Sequence, residues 1–244
     1  MSISLHSTDR YSVPVLPLRG MVAFPSVPLS IEIARSKSID AIRAAEQSDG
    51  YILLLAQKDL SVENPQADDL FAVGTVAKIK QSIKTSEGAV RVLLEGQSRA
   101  EVAAYTQDCS YIRAFAALQN TAEAEASVQS EALIRQAHAA LTRVAKLMSK
   151  ISDELVFAAQ AISQPGLLAD FIAVNFLFRY EDKQEILEIF DPQARLETTV
   201  ALLRQEEEIL HCEMDIHKKV RARLEENQRD AYLREQMRVI QGEL

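Results

Sequence analysis

The first half of the chain, residues 13–118, carries short apolar runs separated by turn-forming residues. This pattern is typical of β-strands joined by tight connections. The continuous apolar run Tyr51–Ala56 predicts a strand that is buried on both faces. In residues 90–95 apolar side chains stand at every second position, which predicts a half-buried strand. Residues 85–88 before it predict a hairpin turn.

One helix is predicted to interrupt this β-rich region. Ile39, Ile42 and Ala45 recur at helical spacing and predict its buried face. Ser36 or Ser38 is the predicted N-cap, because a serine hydroxyl accepts a hydrogen bond from a backbone N–H of the first turn. The helix is therefore expected to pack with one face on the β-rich lobe and to present charged residues on the other.

Beyond residue 119 the composition shifts to alanine, leucine and glutamate, and the pattern predicts several helices. The first shows apolar residues at steps of three and four between Ile134 and Ile151. The third is apolar on nearly all sides and is expected to be buried. The four predicted helices span residues 134–151, 153–163, 167–178 and 183–190.

The last fifty residues, 195–244, predict one uninterrupted helix. Asp191 and Pro192 form its start, because aspartate caps backbone N–H groups and proline has no N–H to lose at the first helical position. No proline follows, and Gly242 is the only later glycine. At ~1.5 Å per residue the helix would be roughly 70 Å long, which is more than a small domain covers.

An apolar stripe on this helix is the candidate self-association surface. The stripe comprises Leu203, Leu210, Met214, Val220 and Leu224. Three interpretations are open: contact with the core of its own helical lobe, a seam with a partner helix, or a face on a membrane surface. The polar face mixes both signs of charge, which disfavours the membrane surface.

Together these patterns predict an α+β fold in three parts. Residues 1–118 form a β-rich lobe with one helix, and residues 119–191 form a helical lobe. Residues 192–244 form the long final helix. A chain of 244 residues has room for one large domain or two small ones.

Composition and charge narrow the classes of function. The net charge of −8 argues against a nucleic-acid partner, which normally meets a basic face. No segment has the pattern of a signal peptide, and no apolar run reaches ~18 residues, so no membrane partner is expected. The two cysteines, Cys109 and Cys212, lie far apart in the sequence. We therefore expect no disulfide framework, and a reducing cytoplasm is the predicted location.

The sequence contains no motif of a known catalytic or cofactor site. None of the seven glycines precedes a lysine and no two lie two positions apart, which excludes the Walker A and Rossmann loops. No Gly-x-Ser-x-Gly occurs for an esterase. His211, Cys212 and His217 would point in different directions on a helix, so no metal site is expected. The residues alone predict a binding or assembly module without catalytic, cofactor or metal site.

Several segments, in order along nearly the whole chain, resemble the N-terminal domain of the Lon protease family. The opening segment is PVLPLRGMVAFP at residues 14–25. The other matching segments lie at residues 35–39, 54–59, 69–79, 88–96, 168–173, 182–188, 226–230 and 232–237. Two positions depart from the family pattern, since Gly20 stands where aspartate is usual and Ala34 where glycine is usual.

This resemblance implies the front region of a bacterial, cytoplasmic, ATP-dependent serine protease of the AAA+ class. In that family the region recognises and holds unfolded or degron-bearing proteins and helps a hexamer assemble. It contains a β-rich pseudo-barrel of the PUA-like type. An ATPase module and a Ser-Lys protease domain follow it in the family, so ATP and Mg²⁺ are expected only there.

Other functions remain as alternatives at this point. The chain could be a stand-alone protein-interaction module with the same β lobe, although such a module has little use for residues 226–237. Nucleic-acid binding through a PUA-like lobe is disfavoured by the absence of Trp and by the acidic total charge. Met21 and Phe24, in the connection after the first predicted strand, are candidate substrate contacts, with core of the β lobe as the other interpretation.

Overall fold

The protein is described here by a computed structural model that covers residues 10–85, 88–106, 110–119, 127–148 and 151–243. The structure confirms the predicted α+β fold, with strands in the first half, then helices, and a long helix at the end. The strands are β1 Arg10–Leu18, β2 Pro28–Ile33, β3 Tyr51–Ala56, β4 Val73–Lys84, β5 Val90–Thr106 and β6 Arg113–Gln119. The helices are α1 Ser36–Glu46, α2 Val128–Leu147, α3 Asp153–Gln160, α4 Pro165–Phe176, α5 Tyr180–Glu188 and α6 Pro192–Glu243.

The six strands form one sheet in the order β2-β5-β4-β3-β1-β6. β5 is 17 residues long, and its second half also pairs with β6. Because β6 pairs with the first half of β1 as well, the pairings β1-β3-β4-β5-β6 close into a ring. A sheet closed on itself in this way is a small barrel. The predicted buried strand at Tyr51–Ala56 is confirmed as β3. The predicted hairpin is confirmed by the antiparallel pairing of β4 with β5, although residues 86 and 87 of its turn lie outside the described residues.

Helix α1 packs against the barrel with the predicted face. Ile39, Ile42 and Ala45 are all buried there. The prediction of a serine cap is wrong, because the N-cap position is Arg35 and no side chain caps the helix. Ser36 and Ser38 already lie inside the first turn, one and three positions beyond the cap. An N-cap hydroxyl must stand before the helix to accept from its first N–H groups.

The helical lobe follows the predicted order of helices with shifted ends. Its first helix, α2, ends at Leu147, short of the predicted Ile151. Pro165 begins α4 as its first residue, where a missing N–H costs nothing, so it starts a helix rather than only ending the previous one. The predicted start of α6 is confirmed, since the Ala194 N–H donates to Asp191 Oδ1 at 2.7 Å.

A buried charged cluster joins the two lobes. Arg99 on β5 donates to both carboxylate oxygens of Asp170 on α4, at 2.9 and 2.6 Å. Its Nε–H donates to the Leu187 carbonyl at 3.0 Å. Arg195 Nε on α6 lies 3.3 Å from the same carboxylate. These side chains are almost completely excluded from solvent. Their hydrogen bonds and ion pairs therefore fix the barrel against the helices.

Candidate functional site

The connection between β1 and β2, residues 19–27, lies against the helical lobe and is held by the barrel. Thr75 Oγ1 donates to the Ala23 carbonyl at 2.6 Å, and the Ser26 N–H donates to the Gly96 carbonyl at 2.9 Å. The backbone passes so close to β5 that a Cβ on Gly96 would lie 2.2 Å from the Phe24 carbonyl oxygen. Only glycine fits this approach, so the course of the connection is rigidly defined.

Phe24, a predicted substrate contact, is 1% exposed. It belongs to the core of the helical lobe, in one cluster with Ile172 and Phe176 of α4. The Arg99 guanidinium carbon lies 5.9 Å from the centre of its ring. Phe24 is therefore core, as one interpretation of the sequence had it, but core of the helical lobe rather than of the barrel. It offers almost no surface to a substrate.

Met21, the other predicted contact, lies on the wall of a groove of about 260 Å³ between the two lobes. We call this the inter-lobe groove. Met21 is 37% exposed, and Phe178, which also lines the groove, is 60% exposed. Its lining includes Met21, Val22, Leu29, Val174, Phe178 and Lys183. Most of this surface is apolar, with a large thioether and an aromatic ring at the places that solvent reaches.

Two polar side chains of the groove donate hydrogen bonds to backbone carbonyls, one across the two lobes and one within the helical lobe. Tyr180 donates its hydroxyl proton to the Lys58 carbonyl at 3.2 Å. Lys183 donates to the Val174 carbonyl near the end of α4 at 3.0 Å, and burial lowers the pKa of its ammonium group. A lysine held in this way supports the wall of the groove. The groove thus offers apolar surface for a side chain and no activated nucleophile.

Sequence reasoning did not select Phe178. It was assigned to the end of a buried helix, whereas α4 ends at Phe176 and Phe178 lies in the short connection to α5. The available signal was the neighbour Arg179, because a charged residue after an apolar run marks the point where the chain reaches solvent.

The predicted stripe on α6 divides into a buried and an exposed part. Leu203 is fully buried and Leu210 packs against the core of the helical lobe. Both therefore belong to the protein's own core, which corrects their assignment to a self-association surface. Met214, Val220 and Leu224 are exposed. Every residue from 211 to 242 is exposed, so this part of α6 projects about 50 Å from the lobes at ~1.5 Å per residue.

Met214 continues the face of Leu203 and Leu210, whereas Val220 lies on a different face of the helix. Val220 follows Met214 by six positions, and at 3.6 residues per turn this step rotates the side chain by about 120°. Val220 and Leu224 consequently share a face with Ile209 and Ile216, which sequence reasoning missed. We call the set Ile209, Ile216, Val220 and Leu224 the rod face. All four are exposed.

The described residues hold neither a cluster for a metal ion nor a membrane-spanning helix. No group of three or more His, Cys, Asp or Glu side chains lies together in a way that could hold a metal ion within that part of the chain. Among the helices of the described ranges, none combines the length and the apolar character needed to cross a membrane.

The sequence comparisons with known proteins agree on one family. The family model described as the substrate-binding domain of ATP-dependent protease La (LON) matches residues 12–205. The Lon protease of Bacillus thuringiensis (strain Al Hakam) is 37% identical over 243 residues, which are 100% of this chain and 30% of that protein. The Lon protease of Escherichia coli (strain K12) is 38% identical over 237 residues, 97% of this chain and 30% of that protein. The chain thus spans about 30% of the length of these relatives.

Solved structures with the same fold include two N-terminal domains. That of the Mycobacterium avium complex Lon protease has a TM-score of 0.64 and 22% identity, and the match covers 80% of this chain and 98% of that one. The Lon N-terminal domain protein from Xanthomonas campestris has a TM-score of 0.56 and 16% identity, with 78% and 98% covered. At these identities the likeness concerns the fold.

Proposed function

The chain belongs to the family of Lon protease substrate-binding domains, and on this basis we propose that it holds unfolded or degron-bearing polypeptides for a Lon-type ATP-dependent protease. The chain itself catalyses no reaction in this proposal. ATP and Mg²⁺ act elsewhere in a Lon-type protease. Its partners are cytoplasmic proteins rather than membranes or nucleic acids.

The single observation that supports this proposal is the inter-lobe groove. A binder of many unfolded chains needs apolar surface that adapts to different side chains, and methionine and aromatic residues supply such surface. Met21 and Phe178 present these two side chains in the lining of one groove, Met21 from the β1–β2 connection and Phe178 from the helical lobe. The walls are fixed by Thr75, Gly96 and the Arg99–Asp170 pair, so binding requires little ordering of the protein itself.

The alternative of a stand-alone interaction module has less support. The similarity to the Bacillus thuringiensis and Escherichia coli proteins runs through 97–100% of this chain, including most or all of α6. The exposed part of α6, residues 211–242, packs on neither lobe, and a helix of this length can carry one module at a distance from another.

Self-association through the rod face is the second part of the proposal. Four exposed apolar residues on one side of an otherwise charged helix favour pairing with another helix, because burying each contributes roughly 1.5–3 kcal/mol. We expect a weak dimer or larger species from this chain, and a hexamer in a complete Lon-type protease. Charged residues around the rod face limit the strength of the contact.

Binding of unfolded protein is tested by titration of a labelled protein in two forms. One form is reduced and alkylated so that it cannot refold, and the other is native. The proposal predicts weak, saturable binding of the unfolded form and no binding of the native form at the same concentration. Equal affinity for the two forms, or no binding at millimolar protein, contradicts it.

A further inference from the structure

A second cleft, of about 470 Å³, lies beside the closed ring of strands, between the second half of β1 and β2. The second half of β1 pairs with β3 through residues 15–18, and β6 pairs with β1 only through residues 10–14. On the other side of the cleft, β2 pairs with β5 and with no other strand of the described ranges. We call the space between β1 and β2 the seam cleft. Its lining includes Pro17, Arg19, Met21, Glu32, Arg35 and Ser38.

The two strands that border the seam cleft expose backbone hydrogen-bonding groups to it. The Leu18 carbonyl accepts from the Gln57 N–H at 2.9 Å, so Leu18 faces β3. Because neighbouring residues of a strand point their backbone groups to opposite sides, the Pro17 carbonyl faces the cleft. The order and pairings of the strands place β1 and β2 antiparallel to each other. An extended peptide between them would pair with both.

The first turn of α1 lies at one end of this cleft with its donors unused. The first helical bond runs from the Ile39 N–H to the Arg35 carbonyl, at 3.0 Å. The N–H groups of Ser36, Lys37 and Ser38 precede it and have no acceptor within the described part of the chain. No side chain caps the helix. Uncapped N–H groups and the helix dipole together attract an anion.

Ser38 supplies a second, independent sign of a ligand at this place. Its side chain lines the seam cleft, and the residue is 4% exposed. No hydrogen bond joins its hydroxyl to any described residue of the chain, and the oxygen itself is reached by solvent, so it is open to a ligand in the cleft. A ligand oxygen in the cleft would satisfy it.

The charges around the cleft have the sign that suits an anion. Arg19 and Arg35 line it, and Lys37 follows in the first turn of α1. The only carboxylate among the lining residues, Glu32, is paired with Arg91 at 2.9 Å. The first turn of α1 therefore combines N–H donors without an acceptor in the described part of the chain, a hydroxyl that opens on the cleft and an excess of positive charge.

We propose that the seam cleft binds the C-terminal end of an extended polypeptide, with its carboxylate on the first turn of α1 and its backbone between β1 and β2. Such a peptide runs parallel to β2 and antiparallel to β1. Its preceding residues then reach Met21, which lines both the seam cleft and the inter-lobe groove. The proposal deepens the proposed function and rests on it, since it names which part of an unfolded chain is recognised.

The test compares two labelled peptides of one apolar sequence, one with a free C-terminal carboxylate and one with a C-terminal amide. Their dissociation constants are measured on the whole chain by fluorescence anisotropy. A carboxylate on a helix N-terminus is worth about 1 kcal/mol, so the amide should bind about fivefold more weakly. Lys37→Glu should remove this difference. Arg43→Glu, the same charge change near the other end of α1, should preserve it.

Equal dissociation constants for acid and amide overturn the proposal, and so does an acid preference that Lys37→Glu leaves intact while circular dichroism shows a folded protein. Neither result affects binding in the inter-lobe groove, which is measured separately with a Phe178 variant. The failure of this proposal and the failure of the proposed function are therefore distinguishable.

Discussion

Arg99 donates two hydrogen bonds to Asp170 across the interface of the two lobes, at 2.9 and 2.6 Å, and both side chains are shielded from solvent. The two residues are 71 positions apart in the sequence. Two parallel bonds between a guanidinium and a carboxylate fix both position and orientation. The same guanidinium lies over the ring of Phe24, so one side chain links the barrel, α4 and the connection that lines the inter-lobe groove.

Replacement of Arg99 by methionine should destabilise the protein strongly. The change leaves the Asp170 carboxylate buried without its principal partner, which typically costs about 3–5 kcal/mol of the free energy of unfolding. Urea denaturation followed by circular dichroism measures this loss. Arg91→Met is the control, because the Arg91–Glu32 pair is exposed and should contribute less than about 1 kcal/mol. Equal effects of the two variants would refute the assigned role of Arg99.

Phe24→Ala and Met21→Ala should have very different effects on stability. Phe24 fills the core of the helical lobe, so its truncation should cost about 3–5 kcal/mol. Met21 is partly exposed at the groove, and its truncation should cost less than about 1 kcal/mol. Thermal or urea unfolding of both variants distinguishes an anchor from a surface contact. If Phe24→Ala is as stable as Met21→Ala, the connection is not anchored as described.

Gly96→Ala should loosen the connection between β1 and β2. The added methyl group would meet backbone atoms of Phe24, which cannot move aside like a flexible side chain, so a loss of about 2 kcal/mol is expected. Gly242→Ala is the matched control, since nothing lies near its added Cβ. Its stability should stay the same or rise slightly, because alanine favours helix. If Gly96→Ala unfolds at the same midpoint as wild type, the close approach of the Phe24 backbone to Gly96 is contradicted.

Val220→Glu should weaken self-association without loss of the fold. The residue is exposed on the rod face, so the charge is tolerated in the monomer but not in a helix pair. Sedimentation velocity at high micromolar concentration compares it with wild type. Leu233→Glu is the control, because Leu233 is exposed on a side of α6 rotated by about 140° from Val220. A strictly monomeric wild type, or equal effects of both variants, would show that the rod face is not the contact.

Features set by neighbouring residues were predictable from the sequence. Asp191 caps α6 as expected, because cap and helix start are adjacent in the chain. The buried strand Tyr51–Ala56 and the inner face of α1 followed from the spacing of apolar residues. The cap of α1 was not predictable in this way, since Arg35 takes the cap position although two serines lie beside it.

Features set by distant residues were not predictable. Nothing in the sequence couples Arg99 to Asp170, and the apolar residues around Phe24 and Phe178 do not show which of the two aromatic rings faces solvent. The stripe on α6 was read as continuous because apolar spacing alone ignores the accumulated rotation across the step of six after Met214. The burial of Leu203 depends on its contact with the helical lobe, which only the fold reveals.

The most direct test of the central claim compares two phenylalanine variants in binding an unfolded protein. Phe178→Ser removes the exposed ring of the inter-lobe groove, and Phe157→Ser removes a ring that is 69% exposed on α3, away from the groove. Both should fold like wild type. The account predicts that Phe178→Ser weakens binding of a permanently unfolded protein about tenfold, as expected for loss of a buried aromatic contact, while Phe157→Ser binds like wild type. Unchanged binding by Phe178→Ser, or equal loss in both, would contradict the groove as the binding surface.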